Sequence, residues 1–311
     1  MATKYQKITP NLWFDGVGED AARFYTGLFP DSKIGKIFRF GKEGSEIHGN
    51  PDGAVMNVEF SLAGQPFLAL NGGPLFKFNP SISFFVICET TEEINKLWDQ
   101  LLEGGETMMP LDQYEWSERY GWLNDRFGLS WQLMKGKLEE VGQKITPLLF
   151  FTGNQRGKAE EAIHFYTSVF RDTMVDGILK YDAEDENKFA AGTVKHAQFS
   201  IENLKFMAMD SGMENNYPFN EAISFIIDCK DQEEIDYYWS KLSEGGDPEA
   251  QQCGWLKDKF GVSWQIVPIE ILTGMLADPR KEKTENVTKA FLQMKKFDLE
   301  KLQAAYADPA V

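Results

Sequence analysis

The chain contains the same sequence twice, and this duplication limits its architecture more than any other feature. Ile-Thr-Pro at residues 8–10 returns at 145–147, and Ser-Trp-Gln at 130–132 returns at 263–265. The matching segments keep their order over about 125 residues, which is the pattern of a duplicated domain. Residues that both copies keep are expected to build the fold, and residues that differ are candidates for a site in one copy.

Bulk properties exclude several classes of function. A length of 311 residues fits two domains. The net charge of −16 argues against a nucleic-acid or anionic-membrane partner, because phosphate binding requires clustered Lys and Arg. No apolar run reaches the length of a membrane span. Three cysteines cannot form a disulfide framework, so the sequence predicts a protein of the reducing cytoplasm.

Hydrophobic periodicity predicts the same order of elements in each half of each copy. Residues 8–14 alternate as a strand does, and residues 19–29 have helical spacing. Further strands follow, and the pattern then begins again at residues 82–88. The predicted fold is α+β, with a βαβββ module repeated four times along the chain.

Domain boundaries follow from the repeat and from a charged connecting stretch. After residue 267 the strand pattern stops, and residues 268–276 and 286–306 have helical spacing with charged outer faces. The predicted organisation is a first domain at 1–136, a linker at 137–144, a second domain at 145–268 and a C-terminal helical tail at 269–311.

Two sequence patterns carry a family resemblance. Both copies contain Phe-Ser followed, after five residues, by Phe-x-Ala-x-(Asn or Asp), and both close on Asp-x-Phe-Gly-x-Ser-Trp-Gln. The chain resembles the PhnB-like branch of the vicinal-oxygen-chelate superfamily, which includes glyoxalase I, extradiol dioxygenases and the fosfomycin- and bleomycin-resistance proteins. The resemblance implies paired βαβββ modules that form curved mixed sheets around a cavity. It also implies either a monomer that builds the usual dimer internally as a pseudo-dimer or a homodimer.

One glycine motif imitates a dinucleotide site. Gly-Val-Gly-Glu-Asp-Ala at residues 16–21 follows a strand and opens a helix, as the fingerprint G-x-G-x-x-A does. Glu19 and Asp20, however, occupy the helix start where a pyrophosphate would bind. We therefore interpret the motif as an ordinary strand-to-helix turn. Some relatives are labelled ubiquinone-pathway methyltransferases, but this chain has no second glycine-rich cofactor loop.

The resemblance also implies where a divalent metal would bind, namely at inward-pointing positions on three strands of a module pair. Copy one has Asn11, Asn57 and Gln132 at these positions, and copy two has Leu148, His196 and Gln265. Amides and an aliphatic side chain are poor ligands for transition metals. The sequence predicts no tight catalytic metal. If a metal binds, its predicted ligands are His196 and Gln265.

The remaining polar and aromatic side chains are those of a concave, mostly apolar pocket. The predicted ligand-binding residues are Asn11, Trp13, Asn57, Glu59, Trp116, Trp122, Gln132, Gln198 and Trp255. Copy one also has a longer aromatic segment around residues 112–119, which is interpreted as a lid or partner contact, or as a hairpin packed on the neighbouring domain.

The favoured function is binding of a small organic molecule in a β-sheet cavity without a tight catalytic metal. The alternative is a divalent-metal-dependent lyase, isomerase or dioxygenase with its site in the second domain. A structural or assembly role is a third hypothesis. Whether the protein is an enzyme stays open at this stage.

Overall fold

A computed structural model describes residues 6–41, 49–182, 191–212 and 214–307. The first copy begins with a βαβββ module that contains helix α1 (Gly18–Leu28), and a second module with helix α2 (Thr91–Leu102) follows. The strands of the first copy are β1 (Ile8–Phe14), β2 (Lys33–Arg39), β3 (Val55–Leu62), β4 (Gln65–Asn71), β5 (Ile82–Cys88), β6 (Glu106–Tyr114), β7 (Ser117–Asn124) and β8 (Ser130–Lys135).

The second copy repeats this order with one strand fewer. Its strands are β9 (Ile145–Phe151), β10 (Met174–Lys180), β11 (Val194–Ile201), β12 (Leu204–Asp210), β13 (Ile223–Asp228), β14 (Trp255–Lys257) and β15 (Ser263–Val267). The remaining α-helices are α3 (Leu138–Val141), α4 (Ala159–Val169), α5 (Gln232–Ser243), α6 (Ile269–Leu276), α7 (Lys281–Leu292) and α8 (Leu299–Ala307). The predicted linker at 137–144 therefore contains a short helix. The tail has a third helix, because α7 and α8 are separate.

Each sheet combines strands of both copies, four and three in sheet A and four and four in sheet B. Sheet A has seven strands in the order β14-β15-β13-β1-β4-β3-β2, and sheet B has eight in the order β10-β11-β12-β9-β5-β8-β7-β6. The copies join through the antiparallel pair β1–β13, where Asn11 lies opposite Ser224, and through β5–β9, where Ser83 lies opposite Leu148. The predicted α+β fold of paired modules is confirmed, and the pairing is built inside one chain.

The hydrophobic core lies on the helix-covered faces of both sheets. In the first copy the buried Tyr25 of α1 packs on Trp131 of sheet B, with ring centroids 5.5 Å apart. In the second copy Tyr166 and Trp264 repeat this contact at 5.6 Å. Because side chains alternate along a strand, the other face of each sheet points away from this core. We call that other face the inner face.

A buried carboxylate explains why both copies end on the same motif. Asp258 accepts hydrogen bonds from the Tyr166 hydroxyl at 2.8 Å and from the Trp264 indole at 2.9 Å, and two backbone N–H groups add further donors. Burial raises the pKa of Asp258 to about 6. In the first copy Asp125 accepts from Tyr25 and Trp131 in the same way. The motif therefore builds the fold rather than a site.

The C-terminal tail takes the place of a missing edge strand. In sheet B, β6 pairs with β7 along the edge. Among the residues that the structure describes, no strand follows β14 in sheet A, and Cys253 N and Gly254 N donate instead to the carbonyls of Met294 and Lys295, at 2.8 and 2.7 Å. Gly254 has φ +82°, and a Cβ there would lie 2.6 Å from the Phe297 ring. The glycine thus permits the tail to pack against the sheet.

None of the described helices is long and apolar enough to cross a lipid bilayer.

Candidate ligand site on the inner face of sheet A

Alternation along the strands of sheet A sends its polar residues to the inner face. Ile8, Leu12 and Phe14 of β1 lie in the core, so Asn11 and Trp13 point the other way. The same parity applies to the other strands of the sheet. The inner-face residues used below are Asn11, Trp13, Asn57, Glu59, Leu68, Leu70, Ser224, Trp255, Lys257, Ser263 and Gln265.

Ser224 lies at the centre of this face and joins residues from both copies. Asn11 Nδ2 donates to Ser224 Oγ at 3.1 Å, and Gln265 Nε2 donates to the same oxygen at 2.9 Å. The three residues lie on the neighbouring strands β1, β13 and β15. Neither copy alone could assemble this cluster, because Asn11 belongs to the first copy and the other two residues belong to the second.

Several polar atoms of this face are buried without a hydrogen-bond partner. Six buried side-chain atoms of the described residues lack one, and three of them are here, namely Asn11 Oδ1, Asn57 Oδ1 and Ser263 Oγ. Asn11 is fully buried. An unpaired buried polar atom costs about 1–3 kcal/mol, so such atoms in a native structure call for an explanation. A ligand or bound water that pairs with them provides one.

Two tryptophans from different copies cover the polar cluster. The rings of Trp13 and Trp255 lie 6.0 Å apart at an interplanar angle of 80°. They stand on strands β1 and β14, with β15 and β13 between them, so the sheet must curve for the rings to meet. In the strand register, the point midway between the two tryptophans is the pair Ser224–Ser263. In this register the two tryptophans therefore flank Ser224 and Ser263.

The inner face of sheet B is filled by its own side chains. One apolar cluster occupies it, with Phe85, Ile87, Tyr120, Trp122, Val141, Leu148, Phe150 and Met207 as buried members. Several polar groups there are paired, whereas Asn124 Oδ1 and Thr146 Oγ1 are buried without a partner. The Tyr120 hydroxyl donates to Gln132 Oε1 at 2.7 Å, and Gln132 Nε2 donates to Ser83 Oγ at 2.9 Å. The Trp122 indole donates to Ser130 Oγ at 2.7 Å.

The predicted metal ligands lie on different sheets. Gln265 belongs to sheet A, whereas His196 lies on β11 of sheet B, its ring centroid 6.2 Å from that of Phe85. The sheets thus separate the two residues that we paired from the sequence, because each sheet combines one half of each copy. Burial lowers the pKa of His196, which favours a neutral imidazole.

The predicted ligand-binding residues also divide between the two sheets. Sheet A carries Asn11, Trp13, Asn57, Glu59 and Trp255, and sheet B carries Trp116, Trp122, Gln132 and Gln198. Gln198 donates to Asp176 Oδ2 at 3.0 Å near the edge of sheet B. Trp116 lies at the tip of the β6–β7 hairpin, is 59% exposed and stacks on Tyr114. The segment at 112–119 is therefore a hairpin, and its Tyr114 packs on the apolar cluster of sheet B.

Neither inner face fits a tightly bound transition metal. At the three strand positions, sheet A offers Asn11, Asn57 and Gln265, and sheet B offers Leu148, His196 and Gln132, whose amide is already used on both sides. In the part of the chain that the structure describes, no three His, Cys, Asp or Glu side chains come together as a metal site would require. One imidazole or one carboxylate among amides is a weak ligand set.

Two residues of the site were missed from the sequence. Ser224 and Ser263 recur in both copies, as Ser83 and Ser130, and were therefore assigned to the fold. Their signal was present, because each is a hydroxyl residue on the inner face of a buried strand. The repeat does not reveal that Ser130 accepts a hydrogen bond from Trp122 in sheet B, whereas its counterpart Ser263 has no partner in sheet A.

In the glycine turn at 16–21, a side chain of the protein occupies the helix N-terminus where a phosphate would bind. Gly18 N donates to Asn71 Oδ1 at 2.8 Å, and a Cβ on Gly18 would lie 2.8 Å from that oxygen. In the second copy Asp210 Oδ1 accepts from Gly157 N and Ala159 N. The N-terminus of α1 is thus occupied by a side chain from β4, as an ordinary strand-to-helix turn requires.

Two surface depressions lie away from the inner faces. One of about 580 Å³ lies between α2 and the β6–β7 hairpin and includes Trp98 and Arg119. The other, of about 490 Å³, lies beside α5 and includes Lys7, Glu202 and Tyr238. Both are lined mainly by polar and charged side chains.

Comparison with known proteins assigns the family. The sequence profile of the family described as 3-demethylubiquinone-9 3-methyltransferase matches residues 6–134 and again residues 143–267. The chain belongs to this family. A PhnB protein from Bacillus cereus is 41% identical, with 42% of this chain covering 100% of that one at a TM-score of 0.39. The resemblance to PhnB-like proteins of the vicinal-oxygen-chelate superfamily is confirmed.

A more distant similarity covers most of the molecule. Glyoxalase I from Zea mays is 11% identical, with 88% of this chain covering 98% of that chain at a TM-score of 0.51. At this level of identity the likeness concerns the fold alone. No curated protein sequence matches the chain at a significant level.

Proposed function

We propose that this protein binds a small organic molecule on the inner face of sheet A, without a tightly bound catalytic metal. The observation that carries the proposal is the set of unpaired buried atoms on that face, Asn11 Oδ1, Asn57 Oδ1 and Ser263 Oγ. Polar atoms that the chain leaves unpaired beside aromatic walls are typical of a site that completes its hydrogen bonds with a ligand.

Sheet B does not provide a second site of the same kind. Its Gln132, Ser83 and Ser130 are paired with each other or with Tyr120 and Trp122. Its unpaired Thr146 Oγ1 lies on a strand beside the packed Phe85, and its unpaired Asn124 Oδ1 lies near the edge strand β6. A ligand there would have to break these bonds and displace packed aromatic rings. We therefore assign binding to one sheet, with contributions from both copies.

The activity in the family's description is not extended to this chain. Its glycine turn is filled by Asn71, so it offers no cradle for a nucleotide-like cofactor. A metal-dependent lyase, isomerase or dioxygenase would need a stronger ligand set than either sheet carries. Binding by hydrogen bonds and aromatic contact is the chemistry that these residues support.

The proposal is tested with small aromatic fragments and ligand-observed NMR. Wild type should bind a subset of them, and Asn11→Leu should abolish that binding because it removes the unpaired amide oxygen. Leu148→Met is the matched control, since residue 148 occupies the corresponding position of sheet B and the substitution conserves volume. Binding that survives Asn11→Leu but is lost in Leu148→Met would contradict the assignment, as would no binding to wild type.

The metal-free part is tested separately. Purified protein is assayed for metal content, and wild type and His196→Ala are titrated with Ni²⁺, Mn²⁺ and Zn²⁺. We expect no tight stoichiometric binding to either. Stoichiometric binding that His196→Ala removes would establish the metal-dependent alternative.

We further propose that one chain suffices for binding and that the protein works in the cytoplasm. Both halves of the sheet A site lie in the same chain, so a monomer can hold the ligand. Cys88, Cys229 and Cys253 are unpaired thiols, as a reducing compartment favours. Sedimentation with ligand and cell fractionation test these two statements, and a site that binds only in a dimer would contradict the first.

A further inference from the structure

We infer that the ligand of sheet A is an organic cation, an amine or amidine carried on a planar apolar body. The inference rests on the proposed function and names the chemical class that the site would take. It comes from the balance of donors, acceptors and charge on the inner face.

Several donors of this face are already used within the protein. The amide N–H groups of Asn11 and Gln265 are both directed to Ser224 Oγ. The Trp13 indole N–H donates to the Gly73 carbonyl at 2.7 Å. By contrast, the oxygens of Asn11 and Asn57 are buried and unpaired. A ligand that satisfies these oxygens must itself donate hydrogen bonds.

The negative charge of Glu59 on this face also favours a cationic ligand. Glu59 on β3 is half-buried, and none of the described residues forms an ion pair with it. Lys257 on this face is already paired with Glu221 at 3.0 Å, and Lys33, which lies opposite Ser61 on the edge strand β2, is exposed. A carboxylate without a cationic partner, beside unpaired amide oxygens, favours a positively charged ligand group.

The register places these acceptors within reach of one small molecule. Leu68 of β4 lies between Asn11 and Glu59, and Leu70 lies between Trp13 and Asn57. Residues two strands apart are separated by about 10 Å at the backbone. A planar body resting on Leu68 and Leu70 could therefore direct donors to both sides. The aromatic wall of Trp13 and Trp255 provides a surface on which a cation or ring packs favourably.

The electrostatic field of the whole protein also favours a cationic ligand. The net charge of −16 attracts cations and repels anions, and at low ionic strength this difference raises the association rate of a cationic ligand. Long-range attraction alone is not selective for a site. The experiment must therefore separate it from the local effect of Glu59.

Calorimetric titration with three isosteric probes provides the test: cationic benzamidine, neutral benzamide and anionic benzoate. Wild type should bind benzamidine about tenfold more tightly than benzamide and should bind benzoate most weakly. Glu59→Gln should remove this preference, lowering benzamidine affinity about tenfold while leaving benzamide affinity unchanged. Glu118→Gln is the matched control, because it makes the same change in net charge at a side chain that is 79% exposed on β7.

The outcomes separate this inference from the proposed function. Benzoate binding as tight as benzamidine binding, or benzamidine affinity that Glu59→Gln leaves unchanged, would overturn the cation assignment even if binding still depends on Asn11. Equal losses in Glu59→Gln and Glu118→Gln would also overturn it, since only the overall field would then matter. Failure of all three probes and of the wider fragment set would instead overturn the proposed function.

Discussion

The inner faces of sheets A and B are built from equivalent strands, but sheet A carries a polar cluster where sheet B carries an apolar one. In sheet B, Trp122 donates to Ser130 and Tyr120 donates to Gln132, so these polar groups are paired among packed rings. In sheet A, Ser263 has no partner and Cys253 stands where the first copy has Tyr120. The inner face of sheet B is thus largely apolar core, whereas the polar cluster of sheet A contains unpaired atoms.

The two sheets also differ at one edge. At one edge of sheet B, β6 pairs with β7 of the same module. At the corresponding edge of sheet A, the C-terminal tail accepts hydrogen bonds from Cys253 and Gly254. The shorter second copy therefore depends on a segment that the first copy does not need. This difference predicts that the tail stabilises the molecule as strongly as a core element does.

Phe297→Ala should produce the largest loss of stability. The side chain is 2% exposed and fills the space beside Gly254, so we expect the free energy of unfolding to fall by about 3–4 kcal/mol. Urea denaturation measures this value. Lys296→Ala is the control, because its exposed ion pair with Asp236 should be worth less than about 1 kcal/mol. Similar losses in the two variants would mean that the tail does not act through Phe297.

Leu148→Asn should be the next most damaging change. It gives sheet B the residue of sheet A, placing an amide within a packed apolar cluster, and we expect a loss of about 3 kcal/mol. The reciprocal Asn11→Leu should instead leave stability unchanged or raise it by about 1 kcal/mol, because it removes an unpaired oxygen. Chemical denaturation of both variants checks the pair. Losses of equal size would show that the two faces are equivalent after all.

A smaller difference is expected between the two equivalent serines. Ser130→Ala leaves the Trp122 indole N–H without its acceptor and should cost about 1–2 kcal/mol. Ser263→Ala removes an atom with no partner and should change the unfolding free energy by less than about 0.5 kcal/mol. Thermal and urea unfolding of the two variants provide the comparison. A larger cost at Ser263 would reveal a partner for that hydroxyl within the protein.

The smallest effect concerns pH. Burial lowers the pKa of His196, so the unfolded chain binds its proton at a higher pH than the native protein does. Stability due to this residue should therefore fall as the pH drops below about 6.5 and level off below the native pKa. The carboxyl of Asp258, whose pKa burial raises to about 6, titrates nearby with the opposite sign.

The pH effect is therefore measured as the difference between wild type and His196→Gln, by urea denaturation from pH 8 to pH 5. The wild type should lose stability relative to the variant across this range. A constant difference would mean that His196 titrates alike in the folded and unfolded chain.

Much of the architecture could be predicted because the repeat and the strand alternation are local signals. The α+β fold with paired modules follows from them, and the resemblance supplied the pairing. Which halves pair could not be read from the sequence. His196 and Gln265 belong to one copy but lie on different sheets, because β13 pairs with β1 and β9 pairs with β5.

The sequence indicated which types of residue form the site, but not which residues lie next to each other. Asn11 and Glu59 were among the predicted ligand-binding residues, yet the residues that cluster with Asn11, Ser224 and Gln265, come from the other copy. Ser263 could not be distinguished from Ser130 by sequence, since only packing decides whether a hydroxyl finds a partner. Trp116 was selected as an aromatic residue, and the structure places it on an exposed hairpin tip.

Indole ¹⁵N resonances of the eight tryptophans measure the central claim most directly. The signals are assigned by single substitutions and followed during titration with benzamidine. If sheet A is the binding face, the resonances of Trp13 and Trp255 shift and saturate together while that of Trp122 stays in place. Shifts confined to Trp122, or no saturable shift at Trp13 and Trp255 with any probe, would contradict the account.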